Sequence, residues 1–346
     1  MRLRSSGIAA TAGAAVLLAG ITGCTSSATG QQEPSGQRKI GIDLPRDDSD
    51  FWKAYERYLR ADITEQSVRT LPITNSQGGA EQLRANLEGF QRAHAKAVVM
   101  APQATQNIEG LDALLLRGVS VISVDTEPEH GSVYMVVRAN NVEYGVKACR
   151  FLGKQLKGKG KVAELQGALS SINAYDRSRG FATCMKNEFP GIQVIELATD
   201  WEGDIASAKL RTTLAANPDL GGIYLQAGGV FLQPTLALLQ QKGLLRPAGQ
   251  PGHIAIVSND GIPQELDAIR RGDIDATVSQ PADLYAKYAL FYAQAGAEGK
   301  TFRPGPTDHQ SSIISLPNGL EDQLPAPLVT KDNVDDKALW GNTVGR

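Results

Sequence analysis

The chain has 346 residues, of which 42% are hydrophobic and 21% charged, and its formal net charge is −2. This composition is typical of a folded globular protein, and the balanced charge without a basic stripe excludes a nucleic-acid-binding protein. The length exceeds the usual size of a single hydrophobic core, so we expect two lobes.

The N-terminal segment predicts export. Arg2 and Arg4 precede an apolar run over residues 8–21, which is too short to span a bilayer comfortably and predicts a cleaved signal peptide over residues 1–23. The run ends in Ile21-Thr22-Gly23-Cys24, which resembles the bacterial lipobox, in which the cysteine is lipid-modified and becomes the mature N-terminus. We therefore expect a lipid anchor on Cys24, and the alternative is a signal peptide whose cysteine is incidental.

The segment that follows the cysteine predicts a flexible tether. Residues 25–37 are rich in Ser, Gln, Gly and Pro and contain almost no apolar residue, so residues 24–37 are interpreted as a lipidated cysteine and its tether. Loss of residues 1–23 would remove two arginines and no acid, which leaves a formal charge of −4. No second apolar run in the remaining sequence is long enough to cross a membrane.

From residue 38 onward, short apolar runs alternate with helical patterns. Strands are predicted over residues 39–44, 68–73, 97–101, 119–125, 133–138, 161–166, 193–198, 222–226, 253–258 and 276–279. Apolar residues at three- and four-residue spacing predict helices between most of the strands, in segments such as residues 51–64, 82–93, 142–156, 206–215 and 284–297. Strands that are apolar on both faces are typical of parallel sheets covered by helices. The sequence therefore predicts an α/β fold with two doubly wound parallel-sheet lobes.

Polar and aromatic side chains follow several of these strands. Ligands bind beyond the carboxyl ends of the strands in open parallel sheets, so these positions are candidate ligand contacts. Aromatic faces cover the C–H surfaces of a polyhydroxylated ligand, while carboxylates, amides and guanidinium groups bond its hydroxyls. The candidates are Phe51, Trp52, Asp125, Asn140, Arg177, Trp201, Asp260 and Gln280.

Enzymatic alternatives have weaker support. Residues 153–160 superficially resemble a phosphate loop, but Gly160 replaces the required Ser or Thr and the stretch enters a strand instead of leaving one. Asp125 and Asp260 could serve as a glycosidase acid and base. The same pair can recognise hydroxyl groups, so we expect a non-enzyme and keep glycosidase activity as the remote alternative.

Two cysteines remain in the body of the chain, and their state is open. Cys149 and Cys184 are a disulfide candidate because the chain is exported, but each lies in a separate predicted helix. Two buried free thiols are the slightly preferred interpretation. No metal or other cofactor is expected, because the four histidines are scattered without ligand spacing: His94, His130, His253 and His309.

From about residue 39 to residue 333 the chain resembles the ribose-type sugar-binding proteins of ABC importers, which have the type I periplasmic-binding fold. The order and spacing of the matching segments carry the resemblance. They are Gly41-Ile42-Asp43 with Phe51-Trp52, residues 97–102, residues 121–126, Asn140-Asn141 with Gly145, residues 164–167, residues 177–181, Asn259-Asp260-Gly261, residues 277–280 and residues 328–333.

The resemblance implies a role for each candidate side chain. Phe51 and Trp52 match the aromatic pair on one sugar face, and Trp201 matches the aromatic on the other. Asp125 and Asp260 match carboxylates that accept from hydroxyls, Arg177 matches a donor to sugar oxygens, and Gln280 matches an amide beside the hinge.

Two positions depart from the pattern of the family. Ala227 stands where Asn is common, and Thr126 stands where Arg often follows the aspartate. Two polar contacts typical of ribose binding are absent, so the resemblance does not identify which sugar or analogue is bound.

The resemblance also implies that three hinge segments join the lobes. We expect crossings near residues 138–140, near Gln280 and near residues 309–312, which assigns residues 38–138 plus 281–310 to the N-terminal lobe. Residues 139–280 plus 311–346 then form the C-terminal lobe. In such a protein, lobe closure on the ligand is the signal that a transporter reads.

The implied function is that of an extracytoplasmic lipoprotein in the cell envelope. It would be held on the outer face of the cytoplasmic membrane or in the periplasm, and would act as a monomer. It would deliver a sugar-like ligand to an ABC permease and its ATPase. The alternative is a sensor that presents its closed form to a membrane receptor kinase.

Overall fold

The computed structural model describes residues 39–102, 108 and 110–343. The predicted signal peptide, Cys24 and the tether lie outside the described residues. The strands are β1 (Ile40–Leu44), β2 (Thr74–Asn75), β3 (Ala97–Met100), β4 (Ser120–Val124), β5 (Met135–Ala139), β6 (Lys159–Gln166), β7 (Gly191–Ala198), β8 (Leu220–Leu225), β9 (Ala255–Asp260), β10 (Ala276–Ser279), β11 (Gly305–Pro306), β12 (Ser312–Leu316), β13 (Gly319–Leu324) and β14 (Leu328–Thr330). The helices are α1 (Asp50–Glu65), α2 (Ala80–Arg92), α3 (Leu111–Leu116), α4 (Asn141–Gln155), α5 (Ile172–Glu188), α6 (Gly203–Ala216), α7 (Gly228–Gln241), α8 (Pro263–Arg271) and α9 (Ala282–Ala297), followed by a short 3-10 helix over Trp340–Asn342.

The strands of the described residues form two sheets. The first has the order β11-β12-β13-β5-β4-β3-β1-β2, and the second has the order β14-β10-β9-β8-β6-β7. Neighbouring strands are parallel from β13 through β2 and from β10 through β7, while β11, β12 and β14 join antiparallel. The predicted α/β fold with two parallel-sheet lobes is confirmed.

Helices cover both faces of each sheet, as the doubly apolar strands predict. In β3, Ala97 and Val99 pack into the same core as helices α1 and α9, whereas Val98 and Met100 pack with α2 and α3. The second sheet lies between α6, α7 and α8 on one face and α4 with α5 on the other. The predicted strand over residues 68–73 is wrong: Thr70 forms an isolated bridge with Ile40, and β2 begins at Thr74.

Within the described residues, three connections join the two sheets. The chain leaves the first sheet between β5 and α4, returns at Gln280 between β10 and α9, and leaves again between β13 and β14. The third crossing therefore lies between Leu324 and Leu328, and the expected crossing near residues 309–312 is wrong. Residues 312–324 extend the first sheet, because β13 pairs in parallel with β5 from Glu321↔Val136 to Leu324↔Ala139.

Helices α4 and α5 approach each other closely. A β-carbon at Gly145 would lie 2.1 Å from the carbonyl oxygen of Arg177, and one at Gly180 would lie 2.1 Å from that of Val142. The two backbones therefore pack directly against each other. One turn beyond each glycine, Cys149 and Cys184 form a disulfide with their α-carbons 6.1 Å apart. The slightly preferred expectation of two free thiols is therefore wrong.

Candidate functional site

A cavity lies between the two lobes, beyond the carboxyl ends of the parallel strands. The space that its atoms leave unfilled is about 630 Å³, which includes solvent at its opening. It is lined by Arg46, Ser49, Phe51, Trp52, Asp125, Thr126, Ser171, Asn173, Arg177, Trp201, Ala227, Gly229, Val230, Asp260 and Gln280. Seven of the eight predicted contact residues are in this set.

The exception is Asn140, whose side chain has a different function. Asn140 is the N-cap of α4, and its Oδ1 accepts a hydrogen bond from the backbone N–H of Glu143 at 3.2 Å. Asn140 is therefore held as a helix cap outside the cavity lining, and its contact with a ligand stays a prediction. The next residue, Asn141, is buried and supports the site by bonding Arg177.

The first lobe contributes one aromatic wall. Ser49 caps α1 by accepting from the N–H of Trp52 at 3.2 Å, which places Phe51 and Trp52 in the first turn of the helix. Their ring centroids are 5.1 Å apart in an edge-to-face arrangement. The rings are mostly buried in the first lobe and present part of their surface to the cavity.

The second lobe contributes the opposite aromatic wall. Trp201 stacks on Phe231 with ring centroids 6.2 Å apart and an interplanar angle of 12°. Gly167 makes room for the indole, because a β-carbon there would lie 2.2 Å from the ring. Trp201 also has a φ of 63°, a left-handed conformation that non-glycine residues seldom adopt.

Arg177 projects from α5 into the base of the cavity. Its Nε donates to Asn141 Oδ1 at 2.7 Å and its Nη2 donates to Gln280 Oε1 at 2.6 Å, while Nη1 donates to the carbonyl of Gln226. The guanidinium also lies 5.0 Å from the ring centroid of Tyr144. These bonds use three of the five N–H groups, which leaves two for a ligand.

Asp125 lies directly after β4 of the first lobe and accepts hydrogen bonds from the second lobe and from the hinge. Its Oδ2 accepts from Asn173 Nδ2 of the second lobe at 2.8 Å, and its Oδ1 accepts from Gln280 Nε2 at 3.0 Å. Burial raises the pKa of Asp125, while the positive charge of Arg177 lowers it. The carboxyl group thus links the lobes and also faces the cavity.

Asp260 ends β9 with a φ of 113°, which turns its carboxyl group toward the start of α7. Oδ2 accepts from the N–H of Gly229 at 2.8 Å. Burial raises the pKa of Asp260, and Arg177 opposes the shift. Glu265 lies behind it and accepts from the N–H groups of Gly261 and Ile262 at 2.6 and 2.9 Å; burial and the charge of Asp260 raise the pKa of Glu265.

Sequence reasoning missed several lining residues. Arg46 lies in the loop after β1, Ser171 and Asn173 lie between β6 and Arg177, and Gly229 and Val230 lie in the first turn of α7. The rule that sites follow strands could have found Ser171 and Asn173, because they are in the same segment as Arg177. Thr126 and Ala227, the two departures from the family pattern, also line the cavity.

The part of the chain that the structure describes contains no group of three or more His, Cys, Asp or Glu side chains that could hold a metal ion. Within the same residues, no helix is both long enough and apolar enough to cross a membrane. The cavity instead combines aromatic faces with carboxyl, amide and guanidinium groups.

Comparison with known proteins identifies the family. A family model described as a periplasmic binding protein domain matches residues 40–301. The chain belongs to the periplasmic binding protein family. The D-apiose import binding protein of Paraburkholderia graminis is 27% identical over 292 residues, which cover 82% of this chain and 90% of that protein. The xylitol-binding protein of Mycolicibacterium smegmatis is 23% identical over 337 residues, which cover 96% and 87%.

Solved periplasmic binding proteins share the fold. An ABC transporter solute-binding protein from Burkholderia graminis, solved in complex with D-arabinose, superposes with a TM-score of 0.74 at 19% identity. The match covers 88% of this chain and 99% of that one. The type I periplasmic-binding fold implied by the sequence is confirmed.

Proposed function

We propose that this protein captures a sugar or sugar alcohol between its two lobes and delivers it to an ABC import permease. The observation that supports this most strongly is the composition of the cleft, in which Trp52 and Trp201 from opposite lobes accompany Asp125, Arg177 and Asp260. The related proteins named for D-apiose import and xylitol binding support the same class of ligand.

The cleft fits the two kinds of surface that such a ligand presents. Carbon-bound hydrogens pack on aromatic faces, and the hydroxyls of the ligand bond to charged and amide groups. Asp260 has an acceptor oxygen beyond the one bonded to Gly229, and Arg177 has two N–H groups beyond those bonded to protein. Both residues can therefore bond a hydroxyl group without losing a protein contact.

Contacts between the lobes support closure as the response to ligand. Asn173 of the second lobe donates to Asp125 of the first, and Gln264 of α8 donates to Asp50 of α1 at 2.8 Å. A ligand that touches both lobes favours the closed state through its higher affinity for that state. We propose that the permease recognises the closed form.

A thermal-shift screen tests the class of ligand. The purified protein is heated with pentoses, hexoses, pentitols and furanosyl compounds, and 1,5-pentanediol serves as a chain-length control without the other hydroxyls. A ligand at 100 times its dissociation constant should stabilise the protein by about 2.7 kcal/mol and raise Tm by roughly 5 °C or more. Failure of every polyhydroxylated compound to raise Tm would contradict the proposed class.

The absence of enzymatic turnover is part of the proposal. Asp125 is bonded by Asn173 and Gln280, and Asp260 by the N–H of Gly229, so both carboxyl groups have positioning contacts suited to binding. Incubation with aryl glycosides and with disaccharides should release no product. Release of product that is lost in the Asp260→Asn variant would favour the glycosidase interpretation instead.

We further propose that the protein is exported and held at the membrane by a lipid on Cys24. The Ile21-Thr22-Gly23-Cys24 sequence and the polar tether after it support this. The Cys24→Ser variant should move from the membrane fraction to the soluble extracytoplasmic fraction. Retention of this variant in the membrane fraction would contradict the anchor.

A further inference from the structure

A cluster of positive side chains lines a groove at the amino ends of β3 and β4, whereas the cleft lies at the carboxyl ends of the strands. The groove lies between the end of α2 and the start of β4, and it is lined by Gln91, Arg92, His94, Ala95, Lys96, Arg117 and Val119. We call Arg92, His94, Lys96 and Arg117 the basic groove. All four side chains are exposed. The nearby acid Glu88 bonds Arg84 at 2.6 Å and lies 3.7 Å from Arg92.

The basic groove lies beside the point where the described chain begins. The backbone N–H of Lys96 donates to the carbonyl of Lys39 at 2.9 Å, and that of Ser120 donates to the carbonyl of Lys96 at 3.1 Å. The starts of β1, β3 and β4 are therefore adjacent, and Lys39 adds a further positive residue. Only residues 25–38 separate Lys39 from Cys24, a stretch with a root-mean-square length of roughly 20 Å if flexible.

Two exposed leucines precede one of the groove residues in the chain. Leu115 and Leu116 end α3 immediately before Arg117, and they are 44% and 88% exposed. Large apolar side chains beside exposed cations are typical of surfaces that rest on the headgroup region of a bilayer. The chain without residues 1–23 carries a formal charge of −4, so a positive groove is opposite in sign to the protein as a whole.

We propose that the basic groove docks on an anionic lipid surface, and that the lipid anchor proposed on Cys24 holds it there. Three of its residues are Lys or Arg, and each such residue near an anionic membrane strengthens attraction about fivefold. The tether raises the local concentration of the groove at the membrane, so weak docking suffices.

Docking in this way would orient the ligand site. The basic groove lies at the amino ends of β3 and β4, whereas Asp125 and the cleft lie at the carboxyl ends of the same parallel strands. A docked molecule therefore keeps its cleft directed away from the bilayer, where ligand arrives from solution.

The test uses the lipidated protein reconstituted into vesicles. An Ala113→Cys substitution places a fluorescent label on exposed α3, and lipids carrying a quencher near the headgroup report its approach. Cys24 is then acylated and Cys149 and Cys184 are disulfide-bonded, so the new thiol is the reactive one. The label should be quenched on vesicles with 30% phosphatidylglycerol, and much less on phosphatidylcholine alone or at 1 M salt.

Two triple variants test whether the positive charges of the basic groove cause the quenching. Substitution of Arg92, Lys96 and Arg117 by Gln should lower the ratio of docked to undocked protein about 100-fold on anionic vesicles. Substitution by Gln of three exposed cations of the second lobe should leave quenching unchanged; these are Lys186, Arg211 and Lys242.

The outcomes separate this inference from the anchor on which it rests. Protein that fails to float with the vesicles would overturn the anchor and the docking together. Protein that floats but is quenched equally on neutral and anionic vesicles, or equally in both triple variants, would overturn the docking alone.

Discussion

Replacement of Arg177 by Met should destabilise the protein and also abolish ligand binding. The substitution keeps an unbranched side chain but removes the charge and the donors. It leaves Asn141 Oδ1 and Gln280 Oε1, on two buried residues, without the bonds of 2.7 and 2.6 Å that they now accept. It also removes the cation that opposes the raised pKa values of Asp125 and Asp260.

We expect Arg177→Met to lower the free energy of unfolding by several kilocalories per mole. Removal of one partner from a buried charged group destabilises proteins by about 3–5 kcal/mol, and each unsatisfied buried acceptor contributes about 1–3 kcal/mol of this. The cost should grow with pH. Without Arg177, the pKa values of Asp125 and Asp260 rise further, so the folded state holds protons that the unfolded state releases, and stability falls as pH increases.

The assay is urea unfolding of both proteins at pH 5 and pH 8, with Arg179→Met as the matched control. Arg179 lies two residues further along α5, and its side chain is 55% exposed and pairs with Asp176 at 3.2 Å. The control should lose less than about 1 kcal/mol at either pH. Equal losses in the two variants, or a loss for Arg177→Met that does not grow with pH, would refute this reasoning.

Three further changes probe the supports of the cleft. Gly167→Ala places a methyl group 2.2 Å from the Trp201 ring, so it should displace the indole and weaken ligand binding at least tenfold by titration, while little change in affinity would count against that wall. Ser at both Cys149 and Cys184 removes a link across 35 residues, which should cost roughly 4 kcal/mol in urea unfolding, and an unchanged midpoint would contradict the bridge. Burial raises the pKa of Glu164 to about 7, so wild-type stability should decline between pH 4.5 and pH 7 and the Glu164→Gln variant should lose part of this decline; identical pH profiles would show that this carboxyl group does not titrate there.

The sequence predicts the cleft well because one topological rule governs it. Parallel strands present their carboxyl ends at one edge, so Asp125 after β4 and Asp260 at the end of β9 lie near one cavity even though 135 positions separate them in the chain. The rule does not resolve single positions near a helix start. Asn140 and Asn141 are adjacent and chemically identical, and the N-cap geometry alone decides that the first caps α4 while the second holds Arg177.

The predicted position of the third crossing is wrong because β13 does not have the sequence pattern of a buried strand. Its polar residues are buried through contacts with side chains that are distant in sequence. Glu321 and Asp322 are buried, and an alternating or continuous apolar pattern is absent around them. Arg138 lies 3.6 Å from Glu321, and Tyr292 donates to Asp322 at 3.0 Å. Neither partner can be identified from local sequence.

The sequence carries a partial signal for the disulfide in the spacing of glycines and cysteines. Gly145 and Cys149 are four residues apart, as are Gly180 and Cys184, so each cysteine lies one turn from a position that permits close helix packing. Glycines in both helices at this offset indicate that the two cysteines share an interface. The pairing of α4 with α5 still has to be known before the signal can be used.

The central claim, that the cleft binds a polyhydroxylated ligand through its charged groups, is tested most directly by titration calorimetry. The compound that gives the largest thermal shift is titrated into the wild type, Asp260→Asn and Asp204→Asn, an exposed carboxylate of the same lobe serving as the control. We predict one site per chain in the wild type, unchanged affinity in Asp204→Asn and at least tenfold weaker binding in Asp260→Asn. Undiminished affinity in Asp260→Asn would contradict the account.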